Sequence, residues 1–163
     1  MRIARTPQEI AEVLSRPMQV YRLKVAFVSG GPVGSATELS RTIDIRGDYT
    51  LFDVHLMIQR GFGWDNDHLF AFFLSGKLWD RETEYSANPL GEPLAARPFS
   101  PPPKSAAGAE LRDLGLTKGK RFAYLFDFGD ELLHEVEVVD VRAIGEDDKD
   151  LPKIVARVGE KIE

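Results

Sequence analysis

The sequence predicts an α+β domain. Its sheet is mixed or antiparallel, built on a hairpin–helix–strand (β-grasp-like) core and followed by a second, C-terminal hairpin. Three observations carry this. Tyr21–Val28 and Glu38–Arg46 alternate apolar and polar residues with period two. Thr50–Arg60 carries an apolar stripe at helical spacing. Two further alternating segments, Arg121–Phe128 and Leu132–Ile144, flank Gly129-Asp130. Runs of strands with segregated helices point to α+β rather than to alternating α/β.

In chain order, Thr6, Pro7 and Glu9 form a helix start, with Ile10, Val13 and Leu14 on one face and Pro17 as the stop. Residues 1–18 are therefore expected to be a helical appendage. In the first strand Tyr21, Leu23, Val25 and Phe27 share a face, and in the second Leu39, Arg41, Ile43 and Ile45 do. The turn-rich segment 29–35 joins them as an antiparallel hairpin. Thr50 caps the helix with Asp53 three positions on, a weaker capping box, and Leu51, Val54, His55 and Ile58 line its inner face. Gly61 or Gly63 ends it. His68–Leu74 is apolar on both faces, the mark of a strand inside its sheet. Residues 86–109 hold six of the ten prolines and are expected to form a long surface loop. Glu110–Leu116 is expected to be a short helix. Gly129-Asp130 is expected to make a two-residue turn, which would set Asp127 opposite Leu132 and bring His134 diagonally next to Asp127. The tail, residues 145–163, is acidic; its Ile154, Val155 and Val158 suit either an added strand or an extended segment across the core.

At 163 residues, 43% hydrophobic and 29% charged, the chain is expected to be one domain over 1–163 and not disordered. It has no cysteine, which excludes disulfides, thiolate zinc sites and thiol catalysis. No apolar run is long enough for a bilayer span, and residues 1–9 lack the apolar stretch of a signal peptide, so no membrane partner and a cytoplasmic location are expected. Charge is uneven: residues 1–126 carry 16 basic and 14 acidic side chains, residues 127–163 carry 5 and 12. The one tight basic cluster is Lys118, Lys120 and Arg121. Duplex binding needs a basic face, so nucleic acid is not the expected partner. Segment 30–35 lacks the Gly-Lys-Ser or Gly-Lys-Thr end of a phosphate loop and joins two strands. Gly61-Phe62-Gly63 lacks the third glycine of a dinucleotide site, and neither Gly-x-Ser-x-Gly nor His-Glu-x-x-His occurs.

Two segments carry a family resemblance. One runs from Gly47-Asp48-Tyr49-Thr50-Leu51-Phe52-Asp53-Val54-His55 to Gly63-Trp64-Asp65-Asn66-Asp67-His68-Leu69-Phe70. The other is Tyr124-Leu125-Phe126-Asp127-Phe128-Gly129-Asp130-Glu131-Leu132-Leu133-His134. With Tyr21–Val25 and Leu151–Val155, their order and spacing resemble the plasmid pRiA4b ORF-3-like family over residues 20 to 160. The chain departs from that pattern in three places, one of them a tail without the Cys-Pro-Pro-Glu-Asp ending of some members. Leu39-Ser40-Arg41 keeps one arginine of a Trp-Arg-Arg segment, and Leu132 replaces the hairpin tryptophan. The resemblance implies no settled activity. It does imply an association with mobile elements, and with it an alternative nucleic-acid-linked role.

The residues offer few reactive groups. There are three histidines: His55, which reads as a packed helix histidine, and His68 and His134, each near carboxylates. His68, Asp127, Asp130 and His134 are candidate ligands for a divalent metal, or a proton-transfer set. The structural alternative makes Asp130 a turn residue, Asp127 a cap of backbone groups or a partner of Arg121, and His134 a satisfied sheet histidine. Trp64 and Trp79 suit core anchors or the rim of a groove. The expected function is a non-enzymatic domain that binds an unknown protein or small molecule through an aromatic and acidic surface of Trp64, Asp65, Asp67, His68, Asp127, Asp130 and His134. A metal-dependent hydrolytic enzyme is the alternative, and it requires His68 and His134 to converge.

Overall fold

The computed structural model describes residues 18–30, 38–86 and 104–159. The expected N-terminal helix and most of the proline-rich segment lie outside the described residues. The strands are β1 (Gln19–Ser29), β2 (Ser40–Arg46), β3 (Phe70–Phe73), β4 (Glu84–Ser86), β5 (Lys104–Ser105), β6 (Arg121–Phe126), β7 (Leu132–Ala143) and β8 (Lys153–Val158). They form one sheet in the order β5-β4-β3-β6-β7-β1-β2-β8. Every pairing is antiparallel except β4 with β5. The helix α1 (Leu51–Phe62) lies across one face. This is a mixed, strand-rich α+β architecture. A β-grasp arrangement is not confirmed: β3, which follows the helix, pairs with β4 and β6, and the second neighbour of β1 is β7.

The apolar alternation is spent on the helix-covered face. Tyr21, Leu23, Val25 and Phe27 of β1, Ile43 and Ile45 of β2, Phe70 and Phe72 of β3, and Phe122, Tyr124 and Phe126 of β6 are buried with Leu51, Val54, Ile58 and Phe62 of α1. All four residues of β3 are buried, as expected of an interior strand. On the opposite face Ala71, Phe73, Ala123 and Leu125 form a smaller cluster. Leu78, Trp79, Phe128 and Leu133 cover it. The rest of that face is polar. Arg22 holds the buried Asp44 carboxylate with two hydrogen bonds of 2.8 and 2.9 Å, and Arg142 does the same for Asp148 at 2.6 and 2.8 Å. Such bidentate pairs offset the cost of burying a carboxylate.

The helix ends are built locally. Thr50 Oγ1 accepts the Asp53 N–H, and the Asp53 carboxylate accepts the Thr50 N–H at 2.8 Å, a complete capping box. The next two free donors, the N–H groups of Leu51 and Phe52, reach the carbonyls of Ala109 and Ala106. The last part of the expected surface loop, Lys104–Ala109, is therefore a short strand and a docked turn with Ala106 and Ala109 buried. At the other end Gly63 takes φ 73°, the left-handed cap that glycine adopts without strain. Residues 111–113 form only a single 3-10 turn, not the expected helix. The left-handed Gly115 (φ 67°) follows directly and stops the winding. The acidic tail does add a strand: β8 pairs with β2 as an edge.

Arg41 is a buried cation, 2% exposed, that clamps three segments. Its Nε donates to Gly61 O at 2.7 Å, and its Nη1 donates to Ser40 O at 2.7 Å and Val158 O at 3.0 Å. The guanidinium also lies 5.2 Å from the centre of the Phe62 ring. Burial, with Arg157 nearby, lowers its pKa from the ordinary value. A positive charge on the last carbonyls of α1 complements the helix dipole.

Two outcomes test these assignments. Thr50→Ala removes one side of the capping box and is expected to cost about 1 kcal/mol in chemical denaturation. Arg41→Met keeps the stem but removes the donors to the carbonyls of Gly61, Ser40 and Val158, leaving Gly61 O with only the longer 3.3 Å bond from Arg157. Its expected cost is about 3 kcal/mol, and a loss below about 0.5 kcal/mol would show that the clamp is not structural.

Candidate functional site

The β6–β7 register determines where the candidate residues go. Phe126 pairs with Leu132 and Tyr124 with His134, leaving five residues, 127–131, in the connection. The expected two-residue turn is corrected: Asp127 and Glu131 adopt left-handed φ values of 62° and 50°, and the Glu131 N–H donates to Asp127 O. The pairing differs by one residue from the expected one, and one residue moves every side chain to the other face. His134 thus points into the core, opposite Tyr124 rather than beside Asp127.

Asp127 sits in the loop, where its Oδ1 accepts the N–H groups of Gly129 and Asp130, both at 3.1 Å. That is the expected backbone-capping role; Arg121 instead faces Glu135 and Glu137 at 3.7 Å. Asp130 is an exposed turn residue. His68 precedes β3, half exposed, with Nε2 3.4 Å from both Asp67 Oδ1 and Asp127 Oδ2. The Asp127 N–H donates to Leu69 O at 2.9 Å. The 64–69 and 127–131 loops are therefore fastened together at one end of the sheet. The end of β1 closes against them. A side chain at Gly30 (φ 126°) would meet the Glu131 carbonyl at 2.1 Å, so only glycine fits.

The four candidate metal ligands do not assemble. His68 and Asp127 adjoin, whereas His134 is fully buried with both ring nitrogens engaged. Among the described residues, no group of three or more His, Asp or Glu side chains is arranged to hold a metal ion.

The buried histidines are instead parts of a polar network. The Trp64 indole N–H donates to His134 Nε2 at 3.1 Å, and His134 Nδ1 lies 3.3 Å from the Tyr124 carbonyl. A carbonyl only accepts, so the proton is on Nδ1 and Nε2 is free to accept from Trp64. At His55, Nε2 lies 2.7 Å from Asn66 Oδ1 and Nδ1 lies 2.6 Å from the Tyr124 hydroxyl. The proton is then on Nε2, and the Tyr124 hydroxyl donates to Nδ1. That hydroxyl accepts from Gln59 Nε2 at 2.9 Å, and Gln59 Oε1 accepts the Asn66 N–H at 2.8 Å. The ring His55–Asn66–Gln59–Tyr124 closes through four links, each pairing one donor with one acceptor. His55 also stacks on Phe70, with centroids 3.7 Å apart and an interplanar angle of 10°.

Sequence reasoning placed His55 correctly as a packed histidine but missed Gln59, Asn66 and Tyr124. The available signal was the presence of two polar residues, His55 and Gln59, four apart on an otherwise apolar helix face. Trp64 is partly buried against Phe62, stacked at 6.2 Å, and anchors the loop on the core. Trp79 packs on Phe73 and Phe128 with Arg81 5.0 Å from its ring, in the second cluster.

Burial pushes the pKa of His55 and of His134 down from 6.5 to about 4; hydrogen bonds to Asn66, and to the Tyr124 and Leu132 backbone, only partly oppose this. Burial also holds the Tyr124 hydroxyl far above 10, so it stays protonated. The unfolded chain therefore binds more protons than the folded one between pH 6.5 and 4. Stability is expected to be full above pH 6.5 and to fall as pH drops towards 4, by an amount on the order of 3 kcal/mol per histidine. Urea titrations at pH 7, 5.5 and 4.5 check this; unchanged stability would sink it. Tyr124→Phe, which orphans His55 Nδ1 and the Gln59 amide, is expected to cost about 2 kcal/mol at pH 7.

The fold is similar to the crystal structure of MM3350, a protein of unknown function from Methanosarcina mazei Go1. The TM-score is 0.64 and the identity 23%, over 87% of this chain and 70% of that one. No curated protein matches the chain. Residues 19–162, which take in the described strands, the helix and both fastened loops, match the family described as plasmid pRiA4b ORF-3-like protein, and the chain belongs to that family.

Proposed function

We propose that this chain is a non-enzymatic binding domain whose contact surface is the end of the sheet formed by the 64–69 and 127–131 loops. One observation carries the reading: exposed acidic residues from two segments distant in sequence gather on these two fastened loops, while the interior histidines are consumed by internal hydrogen bonds. Asp65, Asp67, Asp130 and Glu131 are exposed, Asp127 is half-buried beside them, and His68 stands among them. Leu69 is 44% exposed and adds an apolar contact. Asn66, Asp127 and Glu131 are held at left-handed φ, a conformation that costs energy in residues other than glycine and concentrates where shape matters. The chemistry suits a cationic partner, such as a basic peptide segment with an interspersed apolar side chain. The same acidity disfavours nucleic acid.

Calorimetry with a short Lys/Arg/Leu peptide tests this. The expected result is one binding site whose affinity falls at least tenfold between 50 and 300 mM salt. In an Asp67→Asn, Asp130→Asn double variant it is expected to fall again by a similar factor. Turnover of a phosphoester or ester substrate, with one equivalent of zinc or manganese bound, would instead favour the metal-enzyme reading.

A further inference from the structure

The contact loop is tied from beneath at two points, and both ties end on a buried histidine. At its first residue, the Trp64 indole N–H is held by His134 Nε2 at 3.1 Å. Two residues on, the Asn66 side chain is held by His55 Nε2 at 2.7 Å, and the Asn66 N–H by Gln59 at 2.8 Å. Asp65 lies between the ties, and Asp67 and His68 follow directly. Asn66 sits at φ 53°, a left-handed turn that asparagine tolerates better than most residues and that aims its side chain at His55.

We propose that His55 and His134 are positioning residues that latch the 64–68 loop in its contact shape, acting only as neutral imidazoles of opposite tautomers. This rests on the binding reading only for its consequence; the latch itself is a property of the free chain. His134 must be protonated at Nδ1 and bare at Nε2 to receive Trp64. His55 must be protonated at Nε2 and bare at Nδ1 to receive the Tyr124 hydroxyl. A second proton on His134 abolishes its tie outright. A second proton on His55 turns Nδ1 into a donor facing the Tyr124 hydroxyl, which must then give up its own donation and break the four-residue ring.

The surroundings allow no other arrangement. Around His134 stand Phe27 from β1, Phe62 from α1, Trp64, and Tyr124 from β6. Around His55 stand Phe52 from α1, Phe70 from β3, Tyr124 and Phe126 from β6, and the amides of Gln59 and Asn66. Among these described contacts Tyr124 is the one other titratable group, and no carboxylate is present to stabilise an imidazolium. The ties therefore open on acidification, and the loop carrying Asp65, Asp67 and His68 is released while the sheet beneath remains paired.

The test reads the loop in the free protein, so it is independent of whether any partner binds. With 15N-labelled protein, the exchange of the Trp64 indole proton and of the amides of 65–68 is measured by NMR, with the Trp79 indole and the β2 amides as internal references. His134→Leu is expected to speed exchange at Trp64 and in 65–68 at least tenfold, with the references unchanged. His134→Gln, which retains an acceptor for the indole, is expected to restore protection. On lowering pH, the wild type is expected to lose Trp64 protection before the β2 amides, and the Gln variant is expected not to. Should His134→Leu fail to fold, Trp64→Phe breaks the same tie from the exposed side and is expected to free 65–68 alike. Unchanged exchange in a folded His134→Leu or Trp64→Phe protein, or an equal loss across all amides, would overturn the proposal. If the latch is confirmed but the cationic peptide fails to bind, the binding reading alone is lost.

Discussion

The pairing of Tyr124 with His134 across β6 and β7 is the constraint on which the rest of the interior depends. It brings two polar rings to the centre of a sheet face that is otherwise mostly aliphatic and aromatic. An unpaired polar group there costs far more than a paired one returns, so the neighbours must be exact donors and acceptors. Tyr124 meets the demand twice, with its hydroxyl in one network and its carbonyl in the other. Trp64, Gln59 and Asn66 are drawn in to finish the matching. A core of this kind specifies a single arrangement, because sliding the register by one residue would put His134 and Tyr124 on opposite faces of the sheet.

The same matching turns a packing problem into a device for shaping the surface. A loop such as 64–69, with glycine before it and two aspartates within it, has little apolar material of its own to hold it. Its order is supplied from below, by the indole and the amide that reach into the core, and from the side, by the bond between Asp127 and Leu69. Arg41 does comparable work at the helix terminus, where the chain leaves α1 for this loop. Its guanidinium satisfies the Gly61 carbonyl and joins it to the edge strand β8. Segment 104–110 secures the opposite end of the helix through the Ala106 and Ala109 carbonyls. Both ends of α1, and hence the direction from which Trp64 and Asn66 enter, are set by contacts distant in sequence.

The departures from the family pattern make sense in this setting. Leu132 stands where a tryptophan is usual in the hairpin, and it is buried in the main core, so an aliphatic side chain meets the packing demand there. Arg41, the arginine of the segment that the resemblance singles out, clamps three backbone segments.

Local regularities were sufficient for the elements that depend on local physics. The alternation of Tyr21 to Phe27, the Thr50–Asp53 box, a glycine stop at 61 or 63 and the two-sided apolar β3 determined strand, cap, approximate helix end and interior position from the sequence alone; that Gly63 is the left-handed cap came from the structure. Only the tertiary structure decided the rest, and the physical reason is the same in each case. The five-residue connection 127–131 is stabilised by side-chain capping from Asp127 and contact with Leu69, which Gly129-Asp130 alone does not reveal. The strands β4 and β5 are too short to show a period and exist because β3 offers an edge. The joining of His55, Gln59, Asn66 and Tyr124 depends on a helix, a loop and a strand meeting in space. A pattern of single residues encodes which face each side chain prefers, but which polar groups must satisfy one another is settled only when the faces are brought together.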